Sequence, residues 1–388
     1  GKQSMALTIQ QLNADTTYLL TFSPPNTPCH RATASYTVLI DPWLSGPSSI
    51  LHPSFQISRH TSEPAISSLS EIADEIDLII VSQDKPDHCH KKTLCSLPKD
   101  SNVDMLVTPA AAKKIRSWKD FAGVQRVRVL PAYNASDPLS TVIKIPLPAY
   151  SNSNTPGEVT IANVATKLDI TGLHNAIGIT YQPPSALKDS STHKTEEGSR
   201  KANTDSDLPD NKEEDEALGS RTDSGIGSSS SSANKSQENI LSVIYTPHGV
   251  YPRVLEPYIN SYLRPRNALP VTALFHSINT EENPKLLGGR VAAGAPRGLE
   301  LVQVTGAGHW IGAHDEAKDN RGVATTWIKS RKYDVNEVRE MLRGGGMSGT
   351  RVHRLGVGEV VRIVNGGLEG EKEELPPTEF NGTVSAMW

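Results

Sequence analysis

The chain has 388 residues, 36% of them hydrophobic, enough for one large domain or two average ones. Its 39 basic and 43 acidic residues leave a formal net charge of -4, with no global electrostatic footprint for nucleic acid, so no such partner is expected. Apolar runs such as Asp77-Leu-Ile-Ile-Val-Ser82 are strand-sized and too short to span a bilayer, and no charged-then-apolar signal segment opens the sequence.

Gly1-Lys-Gln-Ser4 ahead of Met5 reads as a remnant outside the fold. Leu7–Leu12 and Thr17–Phe22 are β-prone runs around Asn13-Ala-Asp15, which predicts a hairpin. Tyr36–Ile40 is a further strand, ended by Asp41-Pro42. A helical stretch is expected from Ser62-Glu-Pro64 to about Ile72, with Ser62 as N-cap and Pro64 in the first turn. Leu78–Val81 and Met105–Thr108 read as strands, Ala110–Phe121 as a helix, and Val127–Leu130 and Val142–Leu147 as strands again.

Residues 185–239 differ in kind. They carry Lys-Glu-Glu-Asp-Glu at 212–216 and an unbroken serine run, Ser228–Ser232, with almost nothing to build a core. Such a segment is expected to be a disordered acidic and serine-rich insert, open to a protein partner. Asp223-Ser-Gly-Ile-Gly-Ser228 within it resembles a phospho-dependent degradation signal, although a serine-rich tract yields such strings by chance. Strands resume at Ile240–Tyr245 and need partners from the first half, so 5–184 and 240–365 are read as two halves of one domain, with a tail at 366–388. Beyond the insert, Thr272–Phe275 and Leu299–Val304 read as strands, Gly322–Ser330 and Asp334–Leu342 as helices, and Arg351–Leu355 and Glu359–Val364 as closing strands. Cys29, Cys89 and Cys95 build no disulfide framework and fit a reducing compartment, so a cytoplasmic protein is expected.

Two stretches carry a family resemblance. Thr37-Val-Leu-Ile-Asp-Pro-Trp-Leu-Ser-Gly46 resembles the early strand of metallo-β-lactamase-fold proteins, where an aspartate closes the strand near the metal site. Ile79-Ile-Val-Ser-Gln-Asp-Lys-Pro-Asp-His-Cys-His90 resembles that superfamily's His-x-His-x-Asp-His signature, in a degenerate form with Gln83 and Lys85 at the first two histidine positions. The likeness spans nearly all of the chain outside the insert and is strongest to the Lactamase-B-like hydrolase branch. It implies an α/β fold, a four-layer αβ/βα sandwich of two mixed β-sheets, with the site on loops at one sheet edge.

The resemblance also implies a ligand set. One metal of the family is held by the first two signature histidines and a later one, matched here by His174; only that ligand of the three remains. The other uses the signature Asp-His pair and a final histidine, matched by Asp87, His88 and His314. Three ligands and an open position make a workable catalytic centre. Where the family has a bridging aspartate, Tyr245-Thr-Pro-His-Gly249 offers His248, as a fourth ligand or as a neutral base beside the metal. One divalent ion is therefore expected, zinc in the first instance, with manganese or iron as alternatives. Lys85 is a candidate catalytic ammonium filling the space of the missing ion next to Asp87; its bland reading is a solvated loop lysine.

Other residues have plainer readings. His90 is a ligand or a support, Cys89 packs, and His276 and His309-Trp310 pack. Asp315 could support His314. His30, His52 and His60 are expected to face solvent or a substrate loop, while His193 and His353 have no motif context. Trp43-Leu-Ser-Gly-Pro47 and Tyr251 are placed along the cleft. Two functions follow: a metal-dependent hydrolase of a small-molecule ester, lactone, amide or phosphoester, or a catalytically silent binding or regulatory protein on the same scaffold.

Overall fold

A computed structural model describes residues 5–24, 35–50, 54, 56–149, 154–169, 171–186, 240–284 and 289–364. Cys29, His30, His52, His193, the stretch 187–239 with its Asp223–Ser228 string, and residues from 365 on lie outside them. Ser185–Ala186, the expected first residues of the insert, pair antiparallel with Asn154–Thr155.

Two seven-stranded sheets dominate. The first runs in the order Val360–Val364, Ala6–Gln11, Tyr18–Ser23, Tyr36–Ile40, Leu78–Val81, Asp104–Val107, Val127–Val129. Its first four strands pair antiparallel and the rest parallel. The second runs Arg351–His353, His309–Gly312, Ala273–His276, Leu241–Tyr245, Asn175–Gln182, Gly157–Ala165, Ile143–Leu147, parallel through the first four and antiparallel beyond. Both sheets are thus mixed.

Three apolar cores separate four layers. Leu7, Ile9, Tyr18, Phe22, Val38 and Ile40 face Ile177, Tyr181, Val243, Tyr245 and Phe275 between the sheets. The alternate residues Leu39, Ile79 and Val81 turn outward onto Ala111, Ala112 and Ile115 of helix Pro109–Arg116. Strands buried on both faces read as unbroken apolar runs, which is why Leu78–Val81 shows no polar alternation. On the far side, Ile244, Leu274 and Trp310 pack on helices Pro252–Tyr258, Gly294–Thr305 and Val335–Gly344. This is the four-layer αβ/βα arrangement that the resemblance implies.

Some elements depart from expectation. Leu299–Val304 is not a strand; it lies in helix Gly294–Thr305. The buried set Ala295, Gly298, Leu301, Val302 and Thr305 recurs at helical spacing, and that outweighs the β-propensity of Val302 and Val304. No helix opens at Ser62. The serines at 67 and 68 bind backbone and side-chain groups locally, and Ser68 with Glu71 forms a capping box on the short 3-10 turn Leu69–Glu71. Gly322–Ser330 forms a 3-10 turn, Val323–Trp327, followed by strand Lys329–Arg331, and the 110–121 helix stops at Arg116. No helix among the described residues is long and apolar enough to cross a membrane.

Candidate metal centre

The parallel halves of the two sheets deliver side chains from their strand ends to one rim, the edge where open α/β sheets commonly bind ligands. Asp41 follows Tyr36–Ile40, the segment 82–88 follows Leu78–Val81, His248 follows Leu241–Tyr245, and His314 follows His309–Gly312. Asp15 joins them from the turn before Tyr18, because Tyr18 pairs with Ile40 and so lies at the same end. Asn13 Oδ1 shapes that turn by accepting from the backbone N–H groups of Asp15 and Thr17, both at 2.9 Å. Two tyrosines tie the sheets together beside it: Tyr18 OH donates to Gly312 O at 2.7 Å and Tyr245 OH to Thr16 O at 3.1 Å.

At the centre, His88 Nε2 and His248 Nε2 lie 2.9 Å apart, both rings buried. Their other nitrogens fix the tautomers. His248 Nδ1 lies 2.9 Å from Val291 O, a pure acceptor, so it carries the proton. His88 Nδ1 lies 2.7 Å from Asp41 Oδ2, and that carboxylate also accepts from Ser82 N and Oγ. The two Nε2 atoms thus face each other at the centre, an arrangement that a cation held between them would satisfy. Burial, and then the charges of His314 and His88, hold His248 well below the usual histidine range, which keeps it neutral. Gly249 lets the loop turn here: its φ is +86°, and a Cβ would fall 2.5 Å from the His276 ring.

A second group adjoins the first. His314 Nε2 lies 3.2 Å from Asp87 Oδ2 and 3.9 Å from Asp15 Oδ2. The Lys318 ammonium, its side chain only 7% exposed, donates to Asp15 Oδ2 at 2.7 Å. Burial pushes the Asp87 carboxyl up, but His88, His314 and Lys318 overcome it and hold the group well below the usual carboxylate range. Asp15 is likewise lowered against its burial by His314 and Lys318. His314 is raised, since Asp15 and Asp87 outweigh its desolvation. Asp15 Oδ1, Asp87 Oδ1 and His314 Nδ1 are buried with no hydrogen-bond partner among the described residues.

Donor atoms of His88, His248 and His314 all lie within 4.8 Å of one another, as do those of Asp15, Asp87 and His314. Opposed imidazole nitrogens, held from behind by a carboxylate and a carbonyl, with orphaned carboxylate oxygens adjacent, fit a divalent ion.

Four expected residues, Asp87, His88, His248 and His314, thus come together. His174 stays outside both groups; its Nδ1 lies 2.9 Å from Gly249 O, steadying the loop that carries His248. Lys85 pairs with Asp84 Oδ1 at 2.7 Å and is 28% exposed, and no ion pair links it to Asp87 among the described residues. Gln83 is spent on the Leu173 carbonyl at 2.7 Å. His90 caps helix Lys91–Leu94 by accepting from Thr93 N, and Cys89 packs in the outer core. His276 is buried between the carbonyls of Thr246 and Gly294. Asp315 binds the backbone N–H groups of Ile278 and Asn279 instead of supporting His314. His60 does not face solvent: its ring lies tilted against Trp43, with centroids 3.8 Å apart, and pairs with Glu316. Tyr251 is half-exposed, with Arg297 over its ring.

Asp15 and Lys318 are the residues that sequence reading missed. An aspartate in a tight turn and a lysine in an acidic loop carry no local signal that separates them from solvated ones.

No protein-family model matches the chain, and no curated protein matches it. Among solved structures, it is similar to a possible metal-dependent hydrolase from Veillonella parvula (13% identity, TM-score 0.46, 92% of this chain and 99% of that one). An isothiocyanate hydrolase from Delia radicum gut bacteria matches equally, at 13% identity and TM-score 0.46 over the same shares. The metallo-β-lactamase-fold protein YhfI of Bacillus subtilis matches at 12% identity and TM-score 0.40, again over 92% and 99%. None of these three reaches a TM-score of 0.5, so the likeness carries no argument: the fold stands on the chain's own strand orders, and the site on its own residues.

Proposed function

We propose that the chain is a metal-dependent hydrolase working through one divalent ion, zinc in the first instance, on a small-molecule ester, lactone, amide or phosphoester. The observation that carries this reading is the pair of opposed Nε2 atoms of His88 and His248, with His314 and Asp87 adjoining. His88, His248 and His314 would hold the ion, with Asp87 at its side. A bound ion of this kind supplies a water acidified toward neutral pH and an electrophile for the scissile carbonyl or phosphoryl oxygen. The chain's own groups do the rest. Asp41 and the Val291 carbonyl hold two imidazoles in the tautomer that offers Nε2. Asp87, kept ionised, has an oxygen unpartnered among the described residues that can accept a hydrogen bond from a water or substrate beside it and so orient it.

Elemental analysis of protein purified without chelator tests the reading. About one zinc, manganese or iron per chain is expected, lost in His88→Ala and His314→Ala. Wild-type protein that takes up no metal would overturn it. With metal present, a panel of chromogenic esters, lactones and phosphodiesters then separates the substrate classes.

A further inference from the structure

We propose that the Lys318 ammonium stands in for a second divalent ion, so that the site is built to take one ion and to exclude another. The proposal deepens the hydrolase reading, but it rests on a different set of contacts.

Two groups of donor atoms meet at His314, and they differ in charge. The His88, His248 and His314 group consists of imidazoles, which bring lone pairs and no negative charge of their own. The Asp15, Asp87 and His314 group brings two carboxylates into a region almost closed to water: Asp15 is fully buried, and the Asp87 side chain is 16% exposed. One oxygen of each is buried without a hydrogen-bond partner among the described residues. Two carboxylates so close, facing one imidazole, need a cation beside them.

Lys318 supplies it. Its Nζ lies 2.7 Å from Asp15 Oδ2, and its side chain passes near the Trp43 ring, with Nζ 5.8 Å from the centroid. The side chain is therefore held in place instead of reaching for solvent. A divalent ion entering the same carboxylate group would meet that ammonium at short range with little water between them, and like charges there repel strongly. An ammonium also cannot be lost to dilution or chelation, so this half of the site keeps its charge balance whatever the metal supply.

Zinc titration of the full chain, stripped of metal and followed by calorimetry with elemental analysis of the dialysed product, tests this. Wild type is expected to saturate at one equivalent even in excess zinc. Lys318→Met should gain a second equivalent, while Lys318→Arg, which keeps the charge, should stay at one. Lys318→Gln, able to keep a hydrogen bond to Asp15, replaces the methionine variant if that one does not fold. A wild type that binds two ions overturns the proposal, and so does a folded neutral variant that gains none. Wild type binding none while Lys318→Met binds one would remove the hydrolase reading and with it the one-ion half of this proposal, while supporting the exclusion of an ion by Lys318.

Discussion

Asp41 and His314 hold left-handed backbone, with φ of 48° and 65°, where residues other than glycine are uncommon. Each follows directly or closely on a strand end, and the turn aims its side chain back over the rim. Such strain persists where surrounding contacts fix it, as the Ser82 bonds do for Asp41 and the Asp15 carbonyl does for the His314 N–H. Asp41→Asn tests the role of the carboxylate behind His88. Asparagine tolerates the left-handed region, so the fold should hold while metal affinity falls by about 10- to 100-fold. Competition against a chromogenic chelator reads this, and an unchanged affinity would mean that Asp41 serves the strand end alone. Asp87, His88, His248 and His314 were legible in the sequence because histidines and an aspartate cluster at strand ends in a familiar order. Lys318 was not, since its partner Asp15 lies 303 positions away and only tertiary closure joins them.

Strand pairing creates a further titrating feature at the edge of the second sheet. His309 and His353 sit on neighbouring parallel strands with Nδ1 and Nε2 2.9 Å apart. Burial, then each other's charge and Arg351, pushes His309 down to about 4; burial and nearby arginines do the same to His353. Above pH 6.5 both are neutral, folded or unfolded. As pH falls from about 6.5 to about 4, the unfolded chain takes up protons that the folded one excludes, so stability drops across that window. The unfolding midpoint should therefore be lower at pH 4.5 than at pH 7, and His353→Gln should lose less over the same interval. An equal loss in both proteins would show that the pair contributes nothing to the slope. Neither histidine had a motif to announce it. Helix Gly294–Thr305 is hidden for a related reason: its apolar residues taken one by one favour a strand, whereas its seat on the sheet depends on Gly298, where a Cβ would strike the Trp310 ring.

Between the sheets, Tyr18 and Phe275 meet edge to face at 5.0 Å, and Phe22 stacks on Tyr181 at 5.4 Å. These rings fill the layer that holds the two rims in register. Phe275→Ala should cost about 3–5 kcal/mol of unfolding free energy, read from denaturant midpoints; a loss below 1 kcal/mol would mean that the layer closes over the gap. The α/β class was legible from strand-like runs alternating with helical stretches, whereas the two-sheet sandwich was implied only by the family resemblance. Strand order was not, because no local pattern says that Val360–Val364 lies beside Ala6–Gln11. The site inherits this long reach. A chain emerging from the ribosome presents Asp15, Asp41, Asp87 and His88 long before His248, His314 and Lys318 exist to face them. Until the strand at His309–Gly312 has been made and docked, Asp87 lacks His314 and Asp15 lacks Lys318, so the proposed ion would load among the last events of biogenesis.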